Sequence, residues 1–90
     1  MSWTFLSNHG HVVVQLAKNP DITLAELARV IGVTERHISS VLNDLKEAGY
    51  IEVIKEGRKN SYRVLVEMPL RHTAESHKTL QDVLNVFETD

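Results

Sequence analysis

Between Thr34 and Asn43 the sequence places side chains of the kinds that hydrogen-bond to base edges: Arg36, His37, Ser39, Ser40 and Asn43, with Thr34 and Glu35 ahead of them. An arginine fork fits guanine O6 and N7, and an asparagine amide fits adenine N6 and N7. Each good bidentate contact is worth about 1–3 kcal/mol of discrimination. Glu35 can accept from cytosine N4, or simply favour the positive end of a helix dipole. Further along, Arg58, Lys59 and Asn60 form a small cationic group suited to phosphate oxygens, with Arg29 and Lys55 as further candidates. The plain alternatives are a solvated helix face and charges that keep a strand edge soluble.

Other chemistries find less support. There is no cysteine, so disulfides and thiolate metal sites are excluded. The histidines number five. His9 and His11 are two positions apart, which puts their rings on different sides of a helix. His72 and His77 meet Glu75 or Asp82 only if the C-terminal segment or a second copy folds them together. Zinc requires three or four converging ligands, so solvated histidines are the preferred reading, and neither a metal nor a cofactor is expected. A pH-dependent charge at a dimer interface stays open. No Gly-rich phosphate loop or nucleophile elbow is present, and the chain is too small for a usual substrate cleft, so no enzymatic activity is expected.

The elements that must position these groups follow from periodicity. His9 to Lys18 has the apolar stripe of a helix (Val12, Val13, Leu16, Ala17), with Ser7 or Asn8 as N-cap and Asn19-Pro20-Asp21 as stop. Thr23-Leu24-Ala25-Glu26 is a capping box opening a short helix with Leu24, Leu27, Ala28 and Ile31 buried, and Gly32 follows as its C-terminal cap. Thr34 caps a third helix, 35–48, on which Ile38, Val41, Leu42 and Leu45 repeat at helical spacing. The connection Gly32-Val33-Thr34 is so short that these two helices must cross steeply, the helix-turn-helix arrangement. After Gly49 the period changes to two. Residues 50–55 and 62–66 read as the strands of a hairpin around a basic turn segment, 56–61. From Thr73 a fourth helix is expected, with Leu80, Val83, Leu84 and Phe87 as its stripe.

The chain has 90 residues and a formal net charge of −2, with 42% hydrophobic and 24% charged residues. It is one small domain with a limited core. The negative sum is unusual for a nucleic-acid binder, but residues 29–63 carry seven of the ten basic side chains and a balance of +2, whereas 73–90 balance at −3. A chain this short without disulfides is expected to oligomerise. Trp3, Phe5 and Leu6, packed against Leu80, Val83, Leu84 and Phe87 of a second copy, would bury both sets; the alternative is packing of the tail onto its own domain. Residues 1–72 are therefore expected to form the reading domain and 73–90 the dimerisation element. The start has no basic, apolar leader and no segment is long enough to span a membrane, so a cytoplasmic protein is expected.

Residues 9–66, and above all GVTERHISSVLNDLKEAGYIEV followed by GRKNSYRV, resemble the winged helix-turn-helix repressors of prokaryotes, in the small-regulator group related to the MarR and ArsR families. The opening WTFLSNHGHV and the PLRH after the hairpin resemble a group of very short regulators with no assigned effector. The resemblance implies an α+β fold: a three-helix core plus a β-hairpin wing, with the C-terminal helix added. It also implies sequence-specific binding of double-stranded DNA by a homodimer, with helix 35–48 in the major groove and the wing on backbone or minor groove. The chain departs from metal-sensing ArsR members, which commonly use cysteine pairs or ordered His/Asp sets, and from full MarR proteins, whose long flanking helices it lacks. The alternatives are a winged-helix protein–protein module and a histidine-ligated metal-responsive regulator.

Overall fold

A computed structural model describes residues 3–88. Helix α1, Asn8–Lys18, is capped by the Ser7 hydroxyl and ends at Asn19, next to Pro20. Its buried side is Val12, Val13, Val14 and Leu16. Ala17, expected inside, is exposed, and Val14 takes the interior position.

Helix α2, Leu24–Ile31, begins with the full capping box. The Thr23 hydroxyl accepts from Glu26 N (3.1 Å) and the Glu26 carboxylate accepts from Thr23 N (3.1 Å). At its end Gly32 adopts φ +86°, a left-handed geometry that glycine enters without steric cost. Helix α3, Glu35–Glu47, starts at Thr34, whose side chain accepts from His37 N at 3.0 Å, and buries Ile38, Val41, Leu42 and Leu45.

The chain then reverses into strands β1, Ile51–Glu56, and β2, Lys59–Val64, paired antiparallel from Ile51↔Val64 to Glu56↔Lys59. The loop is therefore Gly57-Arg58 alone, not the expected 56–61. Gly57 has φ +64° and Arg58 does not share the positive φ, the pattern of a type II′ turn. Such a turn matches strand twist, so Lys59, Asn60 and Ser61 become ladder residues although their polar character suggests a loop. The hairpin is tied back to the loop after α1 by Tyr62 N donating to Pro20 O (3.0 Å), and Leu65 N donating to Tyr50 O (2.8 Å) continues the ladder past Ile51 and Val64.

The C-terminal helix α4 is Leu80–Val86, shorter than the stretch expected from Thr73. Residues 71–78 instead form successive turns, and a bridge between Pro69 and Thr79 closes the loop. A second capping box, Thr79 with Asp82, sets the later start. Leu80 N and Gln81 N donate to Met68 O and Val66 O (both 3.0 Å), so the first donors of α4 are satisfied by the segment after β2.

All three N-terminal helices, Tyr50, Ile51, Leu80 and Leu84 share one core. Leu16, Leu27 and Ile38 are fully enclosed there, and among the described residues no polar or charged side chain is buried. The polar residues of α3 are accordingly all available at the surface.

Candidate nucleic-acid interface

Helix α3 has two different flanks. Around its axis the buried residues Ile38, Val41, Leu42 and Leu45 define the inward direction. At 100° per residue, Arg36, Ser40, Asn43 and Glu47 fall opposite it, on the outer ridge. Ser39, Asn43 and Lys46 slope towards the hairpin, and His37 and Asp44 slope towards α1.

On the hairpin side lies an open groove of about 680 Å³. Ser39, Asn43 and Lys46 form its α3 wall, Arg58, Lys59 and Asn60 its hairpin wall, and Asp21, Thr23 and Glu26 its end at α2. The structure thus brings together Ser39, Asn43, Arg58, Lys59 and Asn60 of the expected set. Arg36 and Ser40 stand exposed on the neighbouring ridge, and Thr34 and Glu35 occupy the helix start. Lys46 was not among the expected site residues. Its position three residues beyond Asn43 and seven beyond Ser39 is the periodic signal that could have found it.

The groove carries Lys46, Arg58 and Lys59 against Asp21 and Glu26. Among the described residues, none of these three cations is ion-paired. Glu26 is engaged by its own helix: the Thr23 backbone N–H, then the Thr23 hydroxyl, hold its carboxyl below the usual value of 4.5. In the hairpin, Glu52 pairs with Arg63 at 3.4 Å.

On the α1 side the polar residues of α3 are tied inward. Asn8 Nδ2 lies 3.0 Å from His37 Nε2, and His9 Nε2 lies 2.9 Å from Asp44 Oδ2. His11 turns elsewhere, 3.3 Å from the Thr4 hydroxyl, and His72 Nδ1 accepts from Ala74 N at 3.0 Å. Among the described residues no three His, Asp or Glu side chains are grouped so as to hold a metal ion. No helix is long and apolar enough to cross a membrane among those residues.

The residues expected to meet a second copy divide between interior and surface. Leu80 and Leu84 are buried within their own chain, and Leu6 and Val83 are half-buried. Those two leucines are therefore already covered without a partner, because α4 folds back onto the core of its own chain rather than projecting. Trp3 and Phe5 are exposed by 72% and 93%, with their rings edge to face at 4.9 Å. Phe87 is 37% and Val86 77% exposed.

The family model described as MarR family matches residues 5–59. No curated protein matches the chain. Among solved structures, a MarR family protein of Mycobacterium tuberculosis in complex with salicylic acid is 27% identical, with TM-score 0.55 over 63% of this chain and 44% of that one. The zinc-dependent MarR family transcriptional regulator AdcR, in its Zn(II)-bound state, is 24% identical, with TM-score 0.51 over 71% of this chain and 46% of that one. CymR, the global cysteine regulator of B. subtilis, is 15% identical, with TM-score 0.61 over 98% of this chain and 100% of that one. This chain thus spans less than half the length of the first two, and the second and third likenesses concern the fold.

Proposed function

The chain belongs to the MarR family, and on that premise we propose that it is a transcriptional regulator that binds double-stranded DNA sequence-specifically as a homodimer in the cytoplasm. The single observation that carries this reading is the groove in which Ser39, Asn43 and Lys46 of α3 face Arg58, Lys59 and Asn60 of the hairpin. Base-reading groups on one wall and phosphate-seeking groups on the other are what a duplex requires of a reader. In this reading α3 enters the major groove, with Arg36, Ser39, Ser40 and Asn43 at the base edges. Thr34, Glu35 and His37 frame that set at the helix start, and the wing lies along the backbone or minor groove.

Residues 1–72 then serve as the reading domain and 73–90 join two copies. The aromatic surface of Trp3, Phe5 and Phe87 is the contact, with Leu6 and Val83 at its margin and Leu80 and Leu84 supporting α4 from beneath. Two copies meet successive half-sites about 34–36 Å apart.

Selection of bound duplexes from a random pool, with solution mass measured on the same protein, tests the proposal. A preferred inverted repeat, affinity that falls steeply with salt, and a dimer mass are expected. Recovery of unselected sequences at every salt concentration would overturn the DNA reading and favour a protein partner for the same groove.

A further inference from the structure

Asn8 and His9 are neighbours in the first turn of α1, yet they reach positions two turns apart on α3. Asn8 Nδ2 is 3.0 Å from His37 Nε2 and His9 Nε2 is 2.9 Å from Asp44 Oδ2. Between those two contacts lies Val41, only 1% exposed. Helix α1 is therefore tied to α3 at two points, two turns apart along α3. A carboxylate only accepts, so in the second bond His9 Nε2 is the donor.

Both partners of the His9–Asp44 pair are about half exposed, at 45% and 54%, and an exposed pair adds little to stability. Its geometric effect is larger. A rotation of α3 by about 10° moves a side-chain tip about 6 Å from the helix axis by about 1 Å. That displacement takes a hydrogen bond out of its narrow distance range. Both ties grip the same flank of α3, two turns apart, so each resists rotation of the helix about its own axis.

We propose that Asn8 and His9 are positioning residues. Acting through His37 and Asp44, they set the rotation of α3 about its axis and so determine which base edges Arg36, Ser39, Ser40 and Asn43 reach. The inference rests on the reading of the α3–hairpin groove as a DNA site. It assigns His37 and Asp44 as struts of the reading helix rather than as readers.

The test uses the full chain, a duplex recovered by wild-type selection from a random pool, and a shuffled duplex of the same composition. The readout is the ratio of the two affinities. His9→Ala and Asp44→Ala are each expected to lower that ratio about fivefold, as the loss of one net hydrogen bond allows. The double variant is expected to fall no further than either single one. Asp44→Asn keeps an acceptor oxygen for His9 and is expected to keep most of the discrimination. Asn8→Ala is expected to shift the selected sequence at the end read by the first turn of α3. If Asp44→Ala strengthens binding to both duplexes equally, Asp44 merely repels phosphate and the proposal is overturned. Equal weakening on both duplexes marks a general loss of fold and overturns it as well. Variants that match a discriminating wild type defeat this inference alone, whereas a wild type with no preferred duplex defeats the DNA reading and this inference together.

Discussion

Removing positive charge from the wing should change the salt dependence of DNA binding by an amount that follows from the groove. Lys46, Arg58 and Lys59 are its three basic side chains. Each basic group on a phosphate contributes about 0.9 to the slope of log affinity against log salt. A dimer using both grooves makes about six such contacts, for a slope of about −5.4. Raising salt from about 50 to about 200 mM then weakens binding roughly 2,000-fold. Arg58→Ala removes one contact from each copy and brings the slope to about −3.6, so the same change of salt costs roughly 150-fold. At low salt the variant should lose affinity for matched and shuffled duplexes alike, because a phosphate contact carries no sequence. Asn43→Ala should do the reverse, leaving the slope near the wild-type value and relaxing preference at one base pair. Fluorescence anisotropy with labelled duplexes over a salt series reads both quantities. An Arg58→Ala protein with the wild-type slope, or one that loses preference while keeping the slope, would refute the assignment of the hairpin tip to the backbone.

Three further outcomes are expected. Ile38→Ala removes a side chain with 0% exposure and should cost about 2–5 kcal/mol in urea unfolding, a large part of the roughly 5–15 kcal/mol typical of a domain; a loss under about 1 kcal/mol would contradict the packing described. Gly57→Ala places no atom within 4 Å of the new Cβ but keeps φ +64°, so about 1–2 kcal/mol of backbone strain should fall on the hairpin; amide exchange should quicken in β1 and β2 while the helices keep their protection. Glu26 and Asp82 are held below their usual values of 4.5 and 3.8 chiefly by the backbone N–H groups of Thr23 and Thr79. The stability they contribute is thus complete above those values and declines as pH falls through the lowered ones. The melting temperature of a Glu26→Gln, Asp82→Asn double variant should fall less steeply with acid than that of the wild type, and parallel acid limbs would count against the caps.

Which parts of the molecule could be read from sequence depends on how local their causes are. The stripe Ile38, Val41, Leu42, Leu45 and the caps Thr23 and Thr34 needed only a few neighbouring residues to specify them, and all act as expected. The hairpin tip was harder to read. Lys59, Asn60 and Ser61 have loop-like composition, yet they pair with Glu56, Lys55 and Ile54, because the conformation of Gly57 lets the ladder run to the tip. The C-terminal repeat announced an apolar stripe at Leu80 and Leu84, but no periodicity states which surface will cover it. The answer depends on the loop 71–78 returning α4 to its own core. Helix α1 gave up Ala17 for Val14 for a related reason: a helix packed against α2, α3 and β2 buries more than one stripe.

The net charge of −2 weighs less on a polyanionic target because some acidic groups are engaged within the chain, although Asp21 lines the groove and Glu35 and Glu47 are exposed on α3. Glu26 is folded onto the α2 cap, Asp44 is bound to His9 on the far flank of α3, and Glu52 lies against Arg63. Each stands near the reading surface in sequence, and each is engaged by a neighbour in its own chain. Lys46, Arg58 and Lys59 line the groove without such partners among the described residues. Three cations per copy supply attraction enough to hold a duplex at moderate salt but leave little for binding DNA indiscriminately. In the proposed homodimer, further affinity then comes from matching Arg36, Ser39, Ser40 and Asn43 to the right bases on two half-sites at once. The rotation of α3 that the α1 ties are proposed to restrain therefore bears directly on how well the protein tells one duplex from another.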